Sequence, residues 1–361
     1  RAAEAYWLSR FAGTIPTLDF PAYRKRPAVQ TYRGRTIHRR FSAAFTSRLH
    51  RYAQEHELTL FMVLMAGVKA LLYRYTNQRD LVIGTPIAGR IHSDLEHQLG
   101  LYLNTLAIRT YIEEGGHFED LVQTEKQGLL EAYQHQNYPF DELVAQLNLK
   151  RDTSRSALFD VMVVLQNQAQ LKTLGSSAEL EGVRMTPYPL PRKTAQFDLS
   201  FTFLEQEVLA LELEFNTDIY ETSQIEALFD HFENLLNQAL DKPHSPLEAL
   251  DFLTVSETEQ LLHVFNPKPE AFPEDLTITA VFEAEAAGRP AAAAVIFGEQ
   301  RLTYRQLNER ANQLAHFLRR NYRIEPDDRI GIQLDRSADL LVAILGALKS
   351  GAAYVPIDIN Y

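Results

Sequence analysis

The eleven histidines are the residues of this chain that acid–base catalysis or metal binding would use first, and their spacing supports neither. No two are adjacent, none belongs to an H-E-x-x-H pattern, and none stands at ligand spacing from a cluster of acids. We therefore interpret each histidine as a surface or packing residue. The chain contains no cysteine, which excludes disulfides, thiolate zinc sites and a cysteine nucleophile.

One glycine-containing segment, GTPIAGR at 84–90, superficially fits the spacing of a phosphate-binding loop. Arg90 and Ile91 occupy the positions where such a loop has a lysine and the serine or threonine that binds Mg²⁺. No G-x-G-x-x-G, no G-x-S-x-G and no persuasive pair of carboxylates occurs elsewhere. The residue types and their spacing therefore predict no catalytic group and no metal site.

The overall composition is that of an ordinary globular protein with two domains. The chain has 361 residues, of which 45% are hydrophobic and 23% charged. Its net charge of −11 argues against a nucleic-acid or anionic-membrane partner. The basic stretch at 23–40 is interpreted as a solvated or loop face. The apolar stretch at 58–75 contains Lys69 and Arg74 and is short, which favours a buried core helix over a membrane span.

Hydrophobic periodicity predicts an α+β unit over residues 1–240. Helical spacing covers the segments 42–57, 59–75, 117–136 and 223–240. Strand-like patterns cover 80–87, 101–112 and 158–168, followed by a hairpin whose strands are 197–204 and 208–216.

The sequence after residue 240 falls into two further segments that differ in composition and hydrophobic pattern. Residues 241–277 contain five of the sixteen prolines and predict a linker that packs against its neighbours. From residue 278 to 361, strand patterns at 291–297, 329–334 and after 351 alternate with helical patterns at 302–320 and 337–351. This alternation predicts a parallel sheet with covered faces.

Five short segments resemble the signature motifs of one enzyme family, and they occur in the same order. LGLYLNTLAIR (99–109), HQNYPFDEL (135–143) and RDTSRSALFD (151–160) resemble the last three motifs of the condensation domains of nonribosomal peptide synthetases. LTYRQLN (302–308) and LKSGAAYVPID (348–358) are similar to the first two motifs of the adenylation domains that follow them. Asn137 and Ala157 depart from the family pattern, which usually has an acidic residue and often a proline there.

The resemblance implies an α/β fold in three parts. Residues 1–240 would form the C-terminal, chloramphenicol-acetyltransferase-like lobe of a condensation domain, and 241–277 the condensation–adenylation linker. Residues 278–361 would begin a parallel-sheet α/β adenylation domain. The catalytic HHxxxDG motif of the family would come from the N-terminal lobe and is absent from this sequence. The resemblance thus implies a stretch of a longer synthetase that contains no catalytic residue of its own.

The resemblance also implies an activity for the intact parent. That activity would be peptide-bond formation between carrier-bound thioesters, together with ATP-dependent amino-acid activation, and this chain alone would catalyse neither. The parent would use 4′-phosphopantetheine, ATP and Mg²⁺, with no cofactor held by this chain. Expected partners are the N-terminal condensation lobe, peptidyl carrier domains and the rest of the adenylation domain, with no nucleic acid and no membrane. The expected location is the cytoplasm.

Four residues would line the substrate tunnel if the resemblance extends to individual positions. Asn104 would offer a donor and an acceptor, and Gly84, Thr85 and Pro86 would form the floor loop. Two simpler explanations remain open: Asn104 ties a strand to a loop, and 84–86 form an ordinary strand end.

The other motif residues are expected to support the fold. They are Arg109, His135, Pro139, Phe140, Arg151, Asp152, Arg155, Tyr304, Gly351, Tyr354 and Pro356. Among them, Arg151, Asp152 and Arg155 could instead face the phosphopantetheine arm, although structural ion pairing is favoured.

Two other functions remain open, and so does the behaviour of the isolated chain. The protein could be a non-catalytic carrier-docking platform, or part of a heterocyclisation domain, which has DxxxxD in place of HHxxxDG. An epimerisation domain is disfavoured, because the sequence continues directly into an adenylation-like segment. In the family a segment like 194–204 crosses to the other lobe. We therefore expect an unpaired edge there, and poor stability or self-association of the isolated chain.

Overall fold

The computed structural model describes residues 1–90, 92–95, 98–149, 152–167, 178–180, 183–185, 192–266 and 276–360. The chain forms two compact units, Arg1–Asn266 and Pro267–Tyr361.

The described part of the first unit contains the four predicted helices and three others. Its helices are α1 (Ala2–Arg10), α2 (Ala43–Glu55), α3 (Leu60–Thr76), α4 (Phe118–Gln134), α5 (Phe140–Gln146), α6 (Thr222–Asp241) and α7 (Val255–Glu259). Ser42 and Thr59 cap α2 and α3 by accepting hydrogen bonds from the backbone N–H groups of Phe45 and Met62. Pro139 stands at the N-cap of α5, where its missing N–H costs nothing.

The first unit also contains a six-stranded mixed sheet, against which helices pack. Its strands are β1 (Gly34–Arg40), β2 (Asp80–Ile87), β3 (Asn104–Tyr111), β4 (Val161–Gln166), β7 (Leu199–Glu205) and β8 (Leu209–Asn216), in the spatial order β1-β8-β7-β4-β2-β3. Two short strands, β5 (Ala178–Leu180) and β6 (Val183–Met185), pair separately with each other. The expected unpaired edge near 194–204 is wrong, because β7 is an interior strand. It pairs in parallel with β4 on one side and antiparallel with β8 on the other.

The interpretation of the basic stretch at 23–40 as a solvated or loop face is wrong for its second half, which forms strand β1. Residues 34–40 pair along their whole length with β8, so that Ile37 lies opposite Leu213. Several arginines of the stretch have acidic partners, including Arg26 with Asp198. The sequence pattern of β1 is weak, because only Ile37 marks its core-facing side. The hydrophobic strand β8 therefore determines its structure.

One face of the sheet packs against helices in a large core. The inward residues of β7 and β8, such as Phe201 and Leu213, are fully buried beneath α2, α3 and α6. The helix α3 is buried on nearly all sides, as the apolar 58–75 stretch predicts. In the described part of the chain no helix by itself has the length and hydropathy to cross a membrane. The pair α2 and α3 qualifies only when both are joined across a bend of 110°.

The segment after α6 continues the first unit. Leu247 and Leu250 are buried in the large core, and a capping box between Thr254 and Glu257 starts α7. A π-helical turn, Gln260–Val264, follows, with its apolar side chains exposed. Part of the predicted linker therefore packs as a component of the first unit, which extends to Asn266.

Over residues 276–360, the second unit has three helices and two pairs of strands. Its elements are α8 (Ile278–Gly288), β9 (Ala293–Phe297), β10 (Gln300–Thr303), α9 (Tyr304–Asn321), β11 (Arg329–Ile332), α10 (Ala338–Ser350) and β12 (Ala353–Pro356). The strands β11 and β12 are parallel, whereas β9 and β10 form an antiparallel hairpin. A small core between α9 and α10 includes Leu307, Ala311 and Val342. The predicted mixed α/β class is confirmed.

Candidate functional site

Asn104 joins the first condensation-type motif to the second. It begins β3, and its Nδ2 donates to the carbonyls of Gln136 and Tyr138, both at 2.8 Å. Its Oδ1 accepts from the backbone N–H groups of Thr105 at 2.8 Å and Phe140 at 3.2 Å. The amide thus uses two donors and two acceptors on backbone groups, which anchors the turn between α4 and α5 to the start of β3.

Phe159 joins the third condensation-type motif to the second. Its ring is buried and lies 5.5 Å from the ring of Phe140 and 5.3 Å from that of Phe197, between centroids. A Cβ atom on Gly84 would stand 2.2 Å from the Phe159 ring. Glycine is therefore required at 84 by a close approach, and the approaching group is a side chain of this chain.

Arg109 and His135 hold the N-terminal helix against the motifs. Arg109 makes a two-point ion pair with Asp80, with N···O distances of 3.0 and 2.7 Å, and also donates to the carbonyl of Thr14. The indole N–H of Trp7 donates to the His135 carbonyl at 3.0 Å, and the His135 ring stacks on Tyr6. Both residues therefore make structural contacts with the N-terminal segment.

Arg155 pairs with the buried carboxylate of Asp160 and donates to the carbonyl of Leu18 at 2.9 Å. Burial and the neighbouring charge of Asp198 raise the pKa of Asp160, against the lowering effect of Arg155. Asp152 accepts hydrogen bonds from the N–H and hydroxyl of Ser154, which forms a local turn. The third member of the predicted cluster, Arg151, lies outside the described residues.

The expected floor loop at 84–86 is wrong, because these three residues belong to strand β2 and pair with β3. Pro86 lies close to Asn104 at one end of the β2–β3 pair, whereas Gly84 lies further along β2. Ile87 pairs with Asn104, and Pro86 with Thr105. A cavity of about 300 Å³ on the sheet face opposite the large core is lined by Pro86 and Asn104. An open groove of about 960 Å³ beside it is lined by Thr85 and Pro86. We call the 300 Å³ cavity the sheet-face cavity.

Polar side chains of β1, β7 and β8 form another part of the sheet-face cavity. They are Thr36, Ser200, Thr202, Glu212 and Glu214. Sequence analysis did not single them out. The signal available to it was the alternation of glutamate with leucine in the second hairpin strand, which places both acids on the face opposite the core.

A buried ion pair, also missed by the sequence analysis, supports α3. Lys69 Nζ lies 2.8 Å from Glu125 Oε1, and both side chains are inaccessible to solvent. Thr110 completes the network, because its hydroxyl donates to Glu125 and accepts from Lys69, each at 2.6 Å. Burial lowers the pKa of Lys69, while the Glu125 charge opposes that shift. The signal for this pair was a lysine within an apolar helical run.

The motif residues of the second unit have structural contacts. Tyr304 begins α9 and packs 6.0 Å from the Phe282 ring, between centroids. Gly351 ends α10 with φ of 96°, a left-handed conformation that favours glycine. Tyr354 and Pro356 belong to β12. Among the described residues of the whole chain, no group of three or more histidines and acids is arranged to hold a metal.

Family comparisons match both units. The condensation-domain family matches residues 1–262, and the AMP-binding enzyme family matches residues 282–361. Tyrocidine synthase 3 of Brevibacillus parabrevis is 41% identical over 98% of this chain, which spans 5% of that protein. Bacitracin synthase 1 of Bacillus licheniformis is 40% identical over 99% of this chain, which spans 7% of that protein.

Solved structures agree on the fold. A four-domain nonribosomal peptide synthetase bound to AMP and glycine matches with a TM-score of 0.69 and 25% identity, covering 99% of this chain and 28% of that one. The first condensation domain of the CDA synthetase matches with a TM-score of 0.56 and 19% identity, covering 70% of this chain and 54% of that one. These findings confirm the resemblance read from the five motifs. Because the condensation-domain match covers well over half of the sequence, the chain belongs to the condensation-domain family.

Proposed function

We propose that this chain is part of one module of a nonribosomal peptide synthetase, in which the first unit serves peptide-bond formation and the second serves amino-acid activation. The observation that carries the proposal is the succession of condensation and AMP-binding matches in one chain, in the same order as the five motifs. The intact parent would join carrier-bound aminoacyl or peptidyl thioesters. It would also activate an amino acid with ATP.

Within that module, the first unit would be the C-terminal lobe of the condensation domain and form one wall of the substrate tunnel. Gly84, Thr85, Pro86 and Asn104 would shape this wall. The hydrogen bonds of Asn104 support a positioning role, because they fix the turn that borders the sheet-face cavity. The proton-handling histidine would come from the other lobe, so the chain alone would be inactive.

The parent would depend on phosphopantetheine arms of peptidyl carrier domains, on ATP and on Mg²⁺. Its other partners would be the N-terminal condensation lobe and the rest of the adenylation domain, and we propose a cytoplasmic location. Residues 241–277 would connect the two catalytic domains.

Reconstitution of the module tests this proposal. The natural module that contains this chain would be expressed with a loaded donor carrier and its own acceptor carrier, and dipeptide formation followed by mass spectrometry. We expect dipeptide formation, together with amino-acid-dependent ATP–pyrophosphate exchange. Exchange without dipeptide formation would contradict the condensation role and support a platform function.

A heterocyclisation domain is the second candidate, and the same experiment distinguishes it. With a cysteine- or serine-loaded acceptor carrier, a heterocyclisation domain gives a product lighter by one water than the dipeptide. The HHxxxDG or DxxxxD motif in the preceding coding sequence gives an independent answer.

A further inference from the structure

The sheet-face cavity has an acidic floor whose geometry follows from the strand register. Thr36 lies opposite Glu214, and Glu214 lies opposite Ser200 on the next strand. Glu212 likewise lies opposite Thr202. Paired residues of neighbouring strands project to the same side of a sheet. Two carboxylates and three hydroxyl groups therefore project together on the face that is not packed against the large core.

The polar groups of this floor lack partners in the described part of the chain. Thr36 Oγ1 is buried without a hydrogen bond there. Ser200 is only 8% exposed, lines the cavity, and likewise has no side-chain partner among the described residues. A buried hydroxyl without a partner is costly, and a ligand that hydrogen-bonds to it removes that cost. The unpartnered Thr36 hydroxyl, with the Ser200 hydroxyl lining the same cavity, indicates that the cavity can receive a polar group.

The charged side chains around the cavity indicate which kind of ligand it would bind. Glu212 and Glu214 are half-buried and have no ion pair with any described residue. The cationic or titratable groups nearby are Arg192, which is exposed and lines the cavity, and His38, which lies opposite Glu212 and is also exposed. Two half-buried carboxylates against one exposed guanidinium make the cavity rich in acceptors and negative. This favours a ligand with several N–H donors and a positive charge.

The rest of the cavity lining is less charged, and its neutral polar side chains include Thr105 and Gln196. Pro86 and Met162 contribute apolar surface, and the amide of Asn104 is already fully hydrogen-bonded to the backbone. A cavity of about 300 Å³ lies at the lower end of the range for small-ligand sites. A ligand with one ammonium end and a short, less polar body matches this distribution.

We infer that Glu212 and Glu214 bind the α-ammonium group of an aminoacyl thioester in the sheet-face cavity, with Ser200 as a further hydrogen-bond partner. The inference rests on the proposed function and deepens it, because it assigns the acceptor substrate's amino group to named residues. The carboxylates bind the ammonium form of the substrate, and the amine must lose this proton before it can attack the donor thioester. They are specificity residues, since they contact the amine and not the thioester carbonyl.

Binding of two amide-linked pantetheine analogues to the 361-residue chain tests this inference. The alanyl analogue carries the ammonium group, and the propionyl analogue lacks it but is otherwise matched. Titration calorimetry at pH 7 should show the alanyl analogue binding roughly tenfold more tightly than the propionyl one. The E212Q/E214Q variant should remove this preference, whereas E55Q, at an exposed position on α2, should keep it.

The possible outcomes separate the inference from the proposed function. Equal binding of both analogues to the wild-type chain, or a preference that survives in E212Q/E214Q, overturns the ammonium site but leaves the tunnel-wall proposal standing. Failure of both analogues to bind overturns the inference and also counts against the tunnel wall. Circular dichroism of E212Q/E214Q verifies the fold, and glutamine keeps the size and shape of the side chains.

Discussion

The two units of this chain bury their apolar residues to different extents. In the first unit, a six-stranded sheet packs one face against three helices, and side chains such as Phe201 are completely inaccessible. In the second unit, apolar strand residues remain exposed: Phe297 on β9 is 48% exposed and Val355 on β12 is 39% exposed. The amino-acid types are similar in the two places. Whether a strand residue stabilises its unit is therefore decided by what covers it.

Substitution of matched phenylalanines would test this contrast most strongly. Phe201→Ala should lower the free energy of unfolding of the first unit by about 3–5 kcal/mol, because it leaves a cavity in a closed core. Phe297→Ala should change the stability of the second unit by less than about 0.5 kcal/mol. Urea denaturation followed by fluorescence of Trp7, the chain's single tryptophan, reports the first unit, and hydrogen exchange reports the second. Equal losses would contradict the contrast.

A glycine pair tests how tightly the motif region of the first unit is packed. Gly84→Ala should cost about 1–3 kcal/mol, because its Cβ would collide with the Phe159 ring. Gly128→Ala, inside α4 with an arginine tip 3.9 Å away as its nearest neighbour, should be neutral or stabilise by up to about 1 kcal/mol. Trp7 fluorescence during urea unfolding measures both. A harmless Gly84→Ala would show that Phe159 can move aside.

The exposed strand residues of the second unit predict self-association. Val355 and Ile357, next to the end of β12, are 39% and 40% exposed. Replacing both by aspartate should weaken association about tenfold, because charged side chains discourage edge-to-edge pairing of strands. Sedimentation velocity over a range of protein concentrations measures this effect. A wild-type chain that stays monomeric at all concentrations would remove the basis for the prediction.

The smallest effect concerns a capping residue of the first unit. The His117 backbone N–H donates to Asp120 at 3.0 Å and lowers the pKa of that carboxyl below its ordinary value. The stabilisation is present above the ordinary pKa and is lost as pH falls through the lower folded-state pKa, which means below about pH 4. Asp120→Asn should reduce the loss of unfolding free energy between pH 7 and acid pH. It should lower the free energy of unfolding at pH 7 by no more than about 1 kcal/mol. Unfolding titrations at several pH values measure it, with Glu55→Gln as the control.

The sequence correctly predicted those helices and strands whose apolar residues recur with a clear helical or strand spacing. The segments at 42–57, 59–75 and 223–240 form helices close to their predicted bounds, because each carries a long apolar stripe. The strand β1 was missed, since its only apolar anchor is Ile37 and its pairing with β8 is made across 170 or more residues. The expected edge at β7 was wrong for the same reason, because strand order is a long-range property.

The sequence by itself determined the family, the mixed α/β class and the composition of the motifs, since these depend on residue types and short spacings. Only the tertiary structure decided that Asn104 binds the α4–α5 turn, that Phe159 covers Gly84, and that Glu212 and Glu214 share a cavity with Ser200. The physical reason is that strand register and side-chain contact depend on chain segments far apart in sequence. No local pattern specifies which of those segments will meet.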